Sequence, residues 1–235
     1  MVALLCAPIA TANAAPTCRG ETATIVGTNG DDRLRGTADR DAIVGLDGDD
    51  VLRGLGSSDV ICGGSGNDSV GGGSRADVLS GDAGDDYLDA GKGDDVIGGG
   101  PGFDFAIFEP SGHGVTVDLA RGLARGEGRD RVRGIEGAQG TDFDDVLLGN
   151  RVKNDLYGGN DGGYGNDLIR GRSGDDILGG GDDDDRIYGG KGDDVLYAGY
   201  QNTGGGDDYL DRGPGTDECN NGDEVVNCEG GDPLP

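Results

Sequence analysis

Cut from Gly27 in blocks of nine, the chain reads GTNGDDRLR, GTADRDAIV, GLDGDDVLR, GLGSSDVIC, GGSGNDSVG, GGSRADVLS, GDAGDDYLD, AGKGDDVIG and GGPGFDFAI without an insertion. A short fixed period constrains the fold more than composition does, because each unit can bury its apolar side chain only against neighbouring copies. The sixth place is always Asp: Asp32, Asp41, Asp50, Asp59, Asp68, Asp77, Asp86, Asp95 and Asp104. The eighth place is Leu34, Ile43, Leu52, Ile61, Val70, Leu79, Leu88, Ile97 and Ala106. After a break the pattern returns as GTDFDDVLL from Gly140, GGYGNDLIR from Gly162, GRSGDDILG from Gly171, GGDDDDRIY from Gly180 and GGKGDDVLY from Gly189. Looser copies begin at Thr203 and Arg212. The sixth-place residues here are Asp145, Asp167, Asp176, Asp185, Asp194, Asp208 and Asp217, and a block from Gly149 carries Asn154 instead.

Each part of the unit has a physical reading. Glycine at places one, two and four allows positive φ, so six residues can close a tight turn with its carbonyls exposed. Asp at place six adds a hard anionic oxygen. Calcium takes six to eight such oxygens and accepts carboxylates and carbonyls together. The last three residues form a short strand whose middle side chain points inward, because strand side chains alternate. Charge agrees with a cation ligand: 46 acidic residues against 19 basic ones give a net −27. That balance disfavours nucleic acid and anionic membrane surfaces as partners. Read by composition alone, so much glycine and charge would suggest disorder; the strict order of the residues overrides it.

These blocks resemble the GGxGxDxUx nonapeptide of RTX-type calcium-binding proteins, over residues 27–108 and 139–217. The resemblance implies an all-β fold, a parallel β-roll or β-helix solenoid with bound calcium. Two nonapeptides make one coil, so turns eighteen residues apart stack on one side and share an ion. Asp32 then pairs with Asp50, Asp41 with Asp59, and so on to Asp86 with Asp104, which gives seven sites. The run Asp167 to Asp194 gives two more. Asp32, Asp41, Asp50, Asp59, Asp68, Asp77, Asp86, Asp95, Asp104, Asp145, Asp167, Asp176, Asp185, Asp194, Asp208 and Asp217 are the expected calcium ligands. One inward aliphatic side chain per nine residues cannot offset the entropy of ordering them, and stacked carboxylates repel. The chain is therefore expected to fold as it binds calcium.

Outside the repeats, residues 1–14 are apolar and end in Ala12-Asn13-Ala14, the mark of a secretion signal, though no basic residue precedes the apolar run. No stretch reaches the length of a membrane-spanning helix. Four cysteines lie beyond that segment, Cys18, Cys62, Cys219 and Cys228. They allow three pairings; Cys18 with Cys62 and Cys219 with Cys228 is preferred, each tying down one end of an exported chain. Residues 15–26 and 218–235 read as a cap at either end, the latter with a loose tail. Residues 109–138 lack the nonapeptide, alternate at Val115, Val117 and Leu119, and resemble the V-T-V-D-L-A spacer that interrupts many such arrays. They are expected to add strands packed on the roll.

The single His113 offers no zincin site or catalytic triad, and nothing outside the repeats is long enough for a catalytic domain. The expected function is that of a secreted calcium-binding protein and not of an enzyme or a pore-forming toxin. The alternative is a calcium-dependent adhesin or matrix module with an unknown extracellular partner. Thr28 and Thr37 begin a threonine row of the kind ice-binding rolls display, but the row does not continue.

Overall fold

The computed structural model describes residues 15–108, 111–159, 163–199 and 206–220, and the backbone of 227–229. The secretion signal expected over 1–14 and the tail expected from 230 lie outside the described residues. Every regular element among the described residues is a strand. They form two long sheets, one of ten strands and one of thirteen, and a two-stranded hairpin of Thr17–Cys18 with Glu21–Thr22.

Outside residues 109–138, successive strands alternate between the sheets and each pairs in parallel with the strand one coil away. In the ten-stranded sheet Leu34, Leu52, Val70, Leu88 and Ala106 stand in register, eighteen residues apart. In the other sheet Ile43, Ile61, Leu79 and Ile97 do the same. These eighth-place side chains point between the sheets; Leu52, Ile61, Leu88, Ile97 and Ala106 are all 0% exposed. The core is thus one side chain deep per strand, and the two ladders of aliphatic residues form a single cluster that runs on to Leu210. The expected all-β parallel roll is the fold observed.

The segment expected to lay strands on the roll lies in its wall instead. After Phe105–Ile107 the chain runs ahead to Thr116–Asp118, which lies parallel to Val146–Leu148. It turns back as Leu123–Arg125, antiparallel to both neighbours. It then resumes the coil with Arg129–Arg133 on Val96–Gly98 and Gly137–Gln139 on Phe105–Ile107. Val117, Ala124 and Val132 supply the inward side chains. The thirteen-stranded sheet therefore gains two strands here. The ten-stranded sheet gains none, since Gly137–Gln139 pairs directly with Asp155–Tyr157.

Near the N-terminal end the hairpin lies against the outer face of the thirteen-stranded sheet, where Arg19 reaches Ser80 Oγ at 2.5 Å, and the end strand of that sheet is Ile25–Val26. A disulfide joins Cys18 to Cys62 on strand Val60–Ser65, and Cys18 packs with Val44, Val60 and Cys62 in a second small cluster. The first of the preferred pairings is thus present. Cys219 is also in a disulfide, but the side chain of Cys228 lies outside the described residues.

Candidate metal-binding turns

The six residues before each strand form a turn, and the turns stack in two rows along the edges of the roll. Positive φ falls at places two and four. At place two it is found at Gly64, Gly73 and Gly100, and also at Leu46 (93°), Leu55 (94°) and Arg172 (79°). At place four it is found at Gly48, Gly66 and Gly84, and also at Arg75 (83°) and Asp183 (79°). At Leu46, Leu55, Arg75, Arg172 and Asp183 the backbone keeps the left-handed path although the residue is not glycine. Place one does not need positive φ, contrary to the sequence argument. Its glycine is required by space: a Cβ on Gly54 would stand 2.5 Å from Asp59 Oδ2 and 2.8 Å from the carbonyl oxygen of Gly72, one coil on. Gly45, Gly63, Gly72, Gly99, Gly171 and Gly189 face the same pair of groups, an Asp Oδ2 and a carbonyl of the next coil.

Most sixth-place aspartates hold the stack together through one oxygen and leave the other without a partner. The backbone N–H of Asp32 donates to Asp50 Oδ1 at 2.7 Å, Asp50 to Asp68 at 2.8 Å, and Asp68 to Asp86 at 2.8 Å. On the other edge Asp41 donates to Asp59, Asp59 to Asp77 and Asp77 to Asp95, at 2.7–2.8 Å. The other oxygen, Oδ2, is buried and has no partner in Asp50, Asp59, Asp68, Asp77, Asp86, Asp95, Asp104, Asp167, Asp176, Asp185 and Asp194. Eleven unpartnered carboxylate oxygens inside a fold are costly unless a cation meets them.

Their titration reflects that cost. Burial, reinforced by neighbouring carboxylates, pushes Asp68, Asp77 and Asp95 up to about 7. Burial likewise raises Asp86, Asp176 and Asp194 to about 6, Asp167 to about 8 and Asp185 to about 9. The N–H donated from the coil before opposes the rise but does not cancel it.

The rows run on into the break, to Asp130 and Glu136, and start again beyond it in the irregular copies. Asp95 N–H donates to Asp130 Oδ1 and Asp104 N–H to Glu136 Oε2. Asp145 donates to Asp167 and Asn154 to Asp176 across 22 residues; Asp185 donates to Asp208 and Asp194 to Asp217 across 23. All the expected ligands therefore stand in the two rows, and Asp130, Glu136 and Asn154 join them. Asp130 was legible, since residues 125–133 read RGEGRDRVR, a nonapeptide lacking only its first glycine. Glu136 was not, because its turn is shortened to Gly134-Ile135-Glu136. The first-place role before Asp167 falls to Gly158, whose Cβ position faces Asp167 Oδ2 and the Gly180 carbonyl.

Place five carries its own ladder, which the sequence reading passed over. Asp49 N–H donates to Asp31 Oδ1, Asn67 to Asp49, Asp85 to Asn67 and Phe103 to Asp85, all exposed and at 2.8–3.0 Å. It runs in the opposite sense to the buried one. The paired DD of the repeat is thus two opposed ladders, and of the two only the inner one holds buried oxygens without a partner. His113 is exposed beside Glu127, with Nδ1 3.9 Å from its carboxylate.

The donor set suits a hard cation. Among the described residues no three acidic, His or Cys side chains converge on one point. Each cradle instead joins a carboxylate oxygen to backbone carbonyls of the next coil, the ligand mixture calcium accepts. Fold and turns together define a parallel β-roll with carboxylate-lined edges. The profile of the RTX calcium-binding nonapeptide repeat matches in four copies, over residues 22–47, 35–70, 71–106 and 161–196. These cover half of the chain, and the chain belongs to this family, whose repeats bind calcium. A search of curated proteins finds no match.

Proposed function

We propose that this protein is an exported calcium-binding roll that folds as it loads calcium between its stacked turns, with Asp50, Asp59, Asp68, Asp77, Asp86, Asp95, Asp104, Asp167, Asp176, Asp185 and Asp194 as carboxylate ligands and no catalytic role. The observation that carries this reading is the set of eleven buried, unpartnered Oδ2 atoms. A divalent ion at each would offset 22 of the 27 net negative charges. Without ions those carboxylates are desolvated beside one another, and a core one side chain deep has little to set against that cost. The disulfide Cys18–Cys62 favours an oxidising compartment, in keeping with the apolar leader of residues 1–14.

The test is far-UV circular dichroism of the chain from Ala15 onward, disulfides intact. It is titrated from chelator to about 10 mM calcium, above the roughly 10⁻⁴–10⁻³ M range of extracellular calcium modules, with magnesium as control. A cooperative, calcium-specific gain of β signal is expected. A chain already β-structured in chelator would overturn folding on binding, and one that stays disordered throughout would overturn the calcium reading itself.

One observation favours the adhesin reading as an added role. Arg125, Arg129, Arg131 and Arg133 are exposed on two adjacent strands, and Arg125 lies directly opposite Arg129. None of them takes part in an ion pair among the described residues. Like charges facing across a sheet are unfavourable, and an anionic partner would relieve them. Retention of the calcium-loaded protein on a sulfated polysaccharide resin, lost in R129E/R131E, is the outcome expected of such a role.

A further inference from the structure

Four turns differ from the rest, and they stand where each row begins. Asp32 and Asp41 open the two rows, and Asp145 and Asn154 reopen them after the break. In the first three the second place is Thr, and in the fourth it is Asn150. None of Thr28, Thr37, Thr141 and Asn150 has positive φ, whereas Leu46, Leu55, Gly64, Gly73, Asp82, Gly91, Gly100 and Arg172 at the same place all do. The changed backbone turns an N–H onto the sixth-place side chain. Thr28 N–H donates to Asp32 Oδ2 at 2.5 Å and its hydroxyl donates at 2.9 Å. Thr37 does the same to Asp41 Oδ2 at 2.7 and 3.0 Å. Thr141 N–H reaches Asp145 Oδ2 at 2.6 Å and its hydroxyl at 3.3 Å. Asn150 N–H reaches Asn154 Oδ1 at 2.7 Å. None of these four side chains is among the eleven with a free oxygen.

We infer that these four turns are metal-free starters: the second-place donor supplies the positive pole that a cation supplies elsewhere, so each row begins with a turn that closes without calcium and presents its face to the first loaded one. The inference rests on the calcium reading above and refines its site count. The carbonyl one coil further on faces the sixth-place oxygen at the starter turns too, at Gly27 and Gly36 as at Gly54, so a loaded cradle is marked by its free Oδ2. At the Asp50 turn the Asp50 oxygen and the Gly63 carbonyl face the same Cβ position on Gly45. The pairs Asp32/Asp50 and Asp41/Asp59, expected from spacing to hold ions, then hold none. Their places in the count go to Asp95/Asp130 and Asp104/Glu136, because Asp95 and Asp104 have the free oxygen and donate N–H to those partners. Asn154 fits the same logic, since a neutral amide suffices where no cation is held.

The experiment counts bound calcium by elemental analysis of the folded, desalted protein, with circular dichroism to confirm the roll. Three variants are compared with the full chain: D41N, T37G and D68N. The parent is expected to hold eleven ions, one per free oxygen. D41N is expected to leave that number unchanged, because its amide oxygen still accepts from Thr37, as Asn154 does from Asn150. T37G frees Asp41 Oδ2 and adds one ion. D68N, in a glycine turn, loses at least one. If D41N loses as many ions as D68N, or T37G adds none, the starter turns are overturned while the calcium reading stands. If the parent holds no calcium, or D68N loses none, the calcium reading itself fails.

Discussion

At the scale of single residues, the repeat is a set of demands made by one backbone path, and each place answers a different one. Outside the four starter turns most second and fourth places take a left-handed backbone; place one needs the absence of a Cβ. The distinction gives opposite outcomes for substitutions that look alike. Arg75 is exposed and sits at φ 83°. A left-handed residue with a Cβ costs about 1–2 kcal/mol, and glycine's greater freedom in the unfolded chain takes back about 0.5–1 kcal/mol. R75G is therefore expected to stabilise the calcium-loaded roll by about 0.5–1 kcal/mol, read as a higher midpoint in urea. Gly63 has ordinary φ, yet a Cβ there would overlap Asp68 Oδ2 and stand 2.6 Å from the Gly81 carbonyl. G63A is expected to cost about 1–3 kcal/mol, the usual penalty of an overfilled site, and to lower the calcium content. An unchanged metal count in G63A would show that the cradle is not where the ion binds.

At the scale of turns, strands and caps, the period was legible and its exceptions were not. In the first run, perfect nine-residue spacing placed the inward aliphatics from Leu34 to Ala106 and the stacked aspartates from Asp32 to Asp104, because the stack permits no drift: a one-residue slip would turn Leu88 outward. The second run has 22- and 23-residue steps, and spacing alone could not tell that Asp145 still stacks on Asp167 and Asp185 on Asp208. Strand register decides it, with Leu147 beside Ile169 and Ile187 beside Leu210. The strand signal at Val115 and Val117 was correct, but alternation shows only that one face is buried. It does not show that the next strand reverses and enters the sheet wall. Nor did the glycine-threonine exchange at place two announce a different turn, since both residues suit tight turns and only the backbone angle separates them. The N-terminal hairpin carries a prediction of its own. The Cys18–Cys62 bridge spans 44 residues and fixes a two-stranded hairpin that would be marginal alone. Removing it in C18A/C62A is expected to cost about 2–4 kcal/mol and to raise the calcium concentration needed for half-folding. An unchanged midpoint would mean that the edge strand at Ile25–Val26 holds the first coil unaided.

At the scale of the whole molecule, the buried carboxyls make calcium, protons and folding one linked equilibrium. Asp68, Asp77, Asp95, Asp167 and Asp185 rise from 3.8 in the unfolded chain to about 7, 7, 7, 8 and 9 in the roll. A group whose value is raised by folding favours the fold while protonated. Its contribution is fully present below about pH 4 and is lost as the pH rises through 7 to 9. In chelator, then, acid substitutes in part for calcium: the β signal near pH 4 is expected to exceed that near pH 8. Calcium needs the carboxylates ionised, so its own contribution runs the other way, growing as the pH rises. The two trends give a sharp test of whether the calcium-free chain is folded at neutral pH. An unfolded chain at pH 7 has already given up these protons, so calcium binding by it releases almost none. A preformed roll at pH 7 would still hold protons on Asp167 and Asp185 and on about half of Asp68, Asp77 and Asp95, and calcium would expel them. Calorimetric titration at pH 7 in two buffers of different ionisation enthalpy measures that number directly. Equal heats in both buffers are expected of a chain that folds on binding; a buffer-dependent heat worth several protons would mean that the roll exists before its calcium arrives.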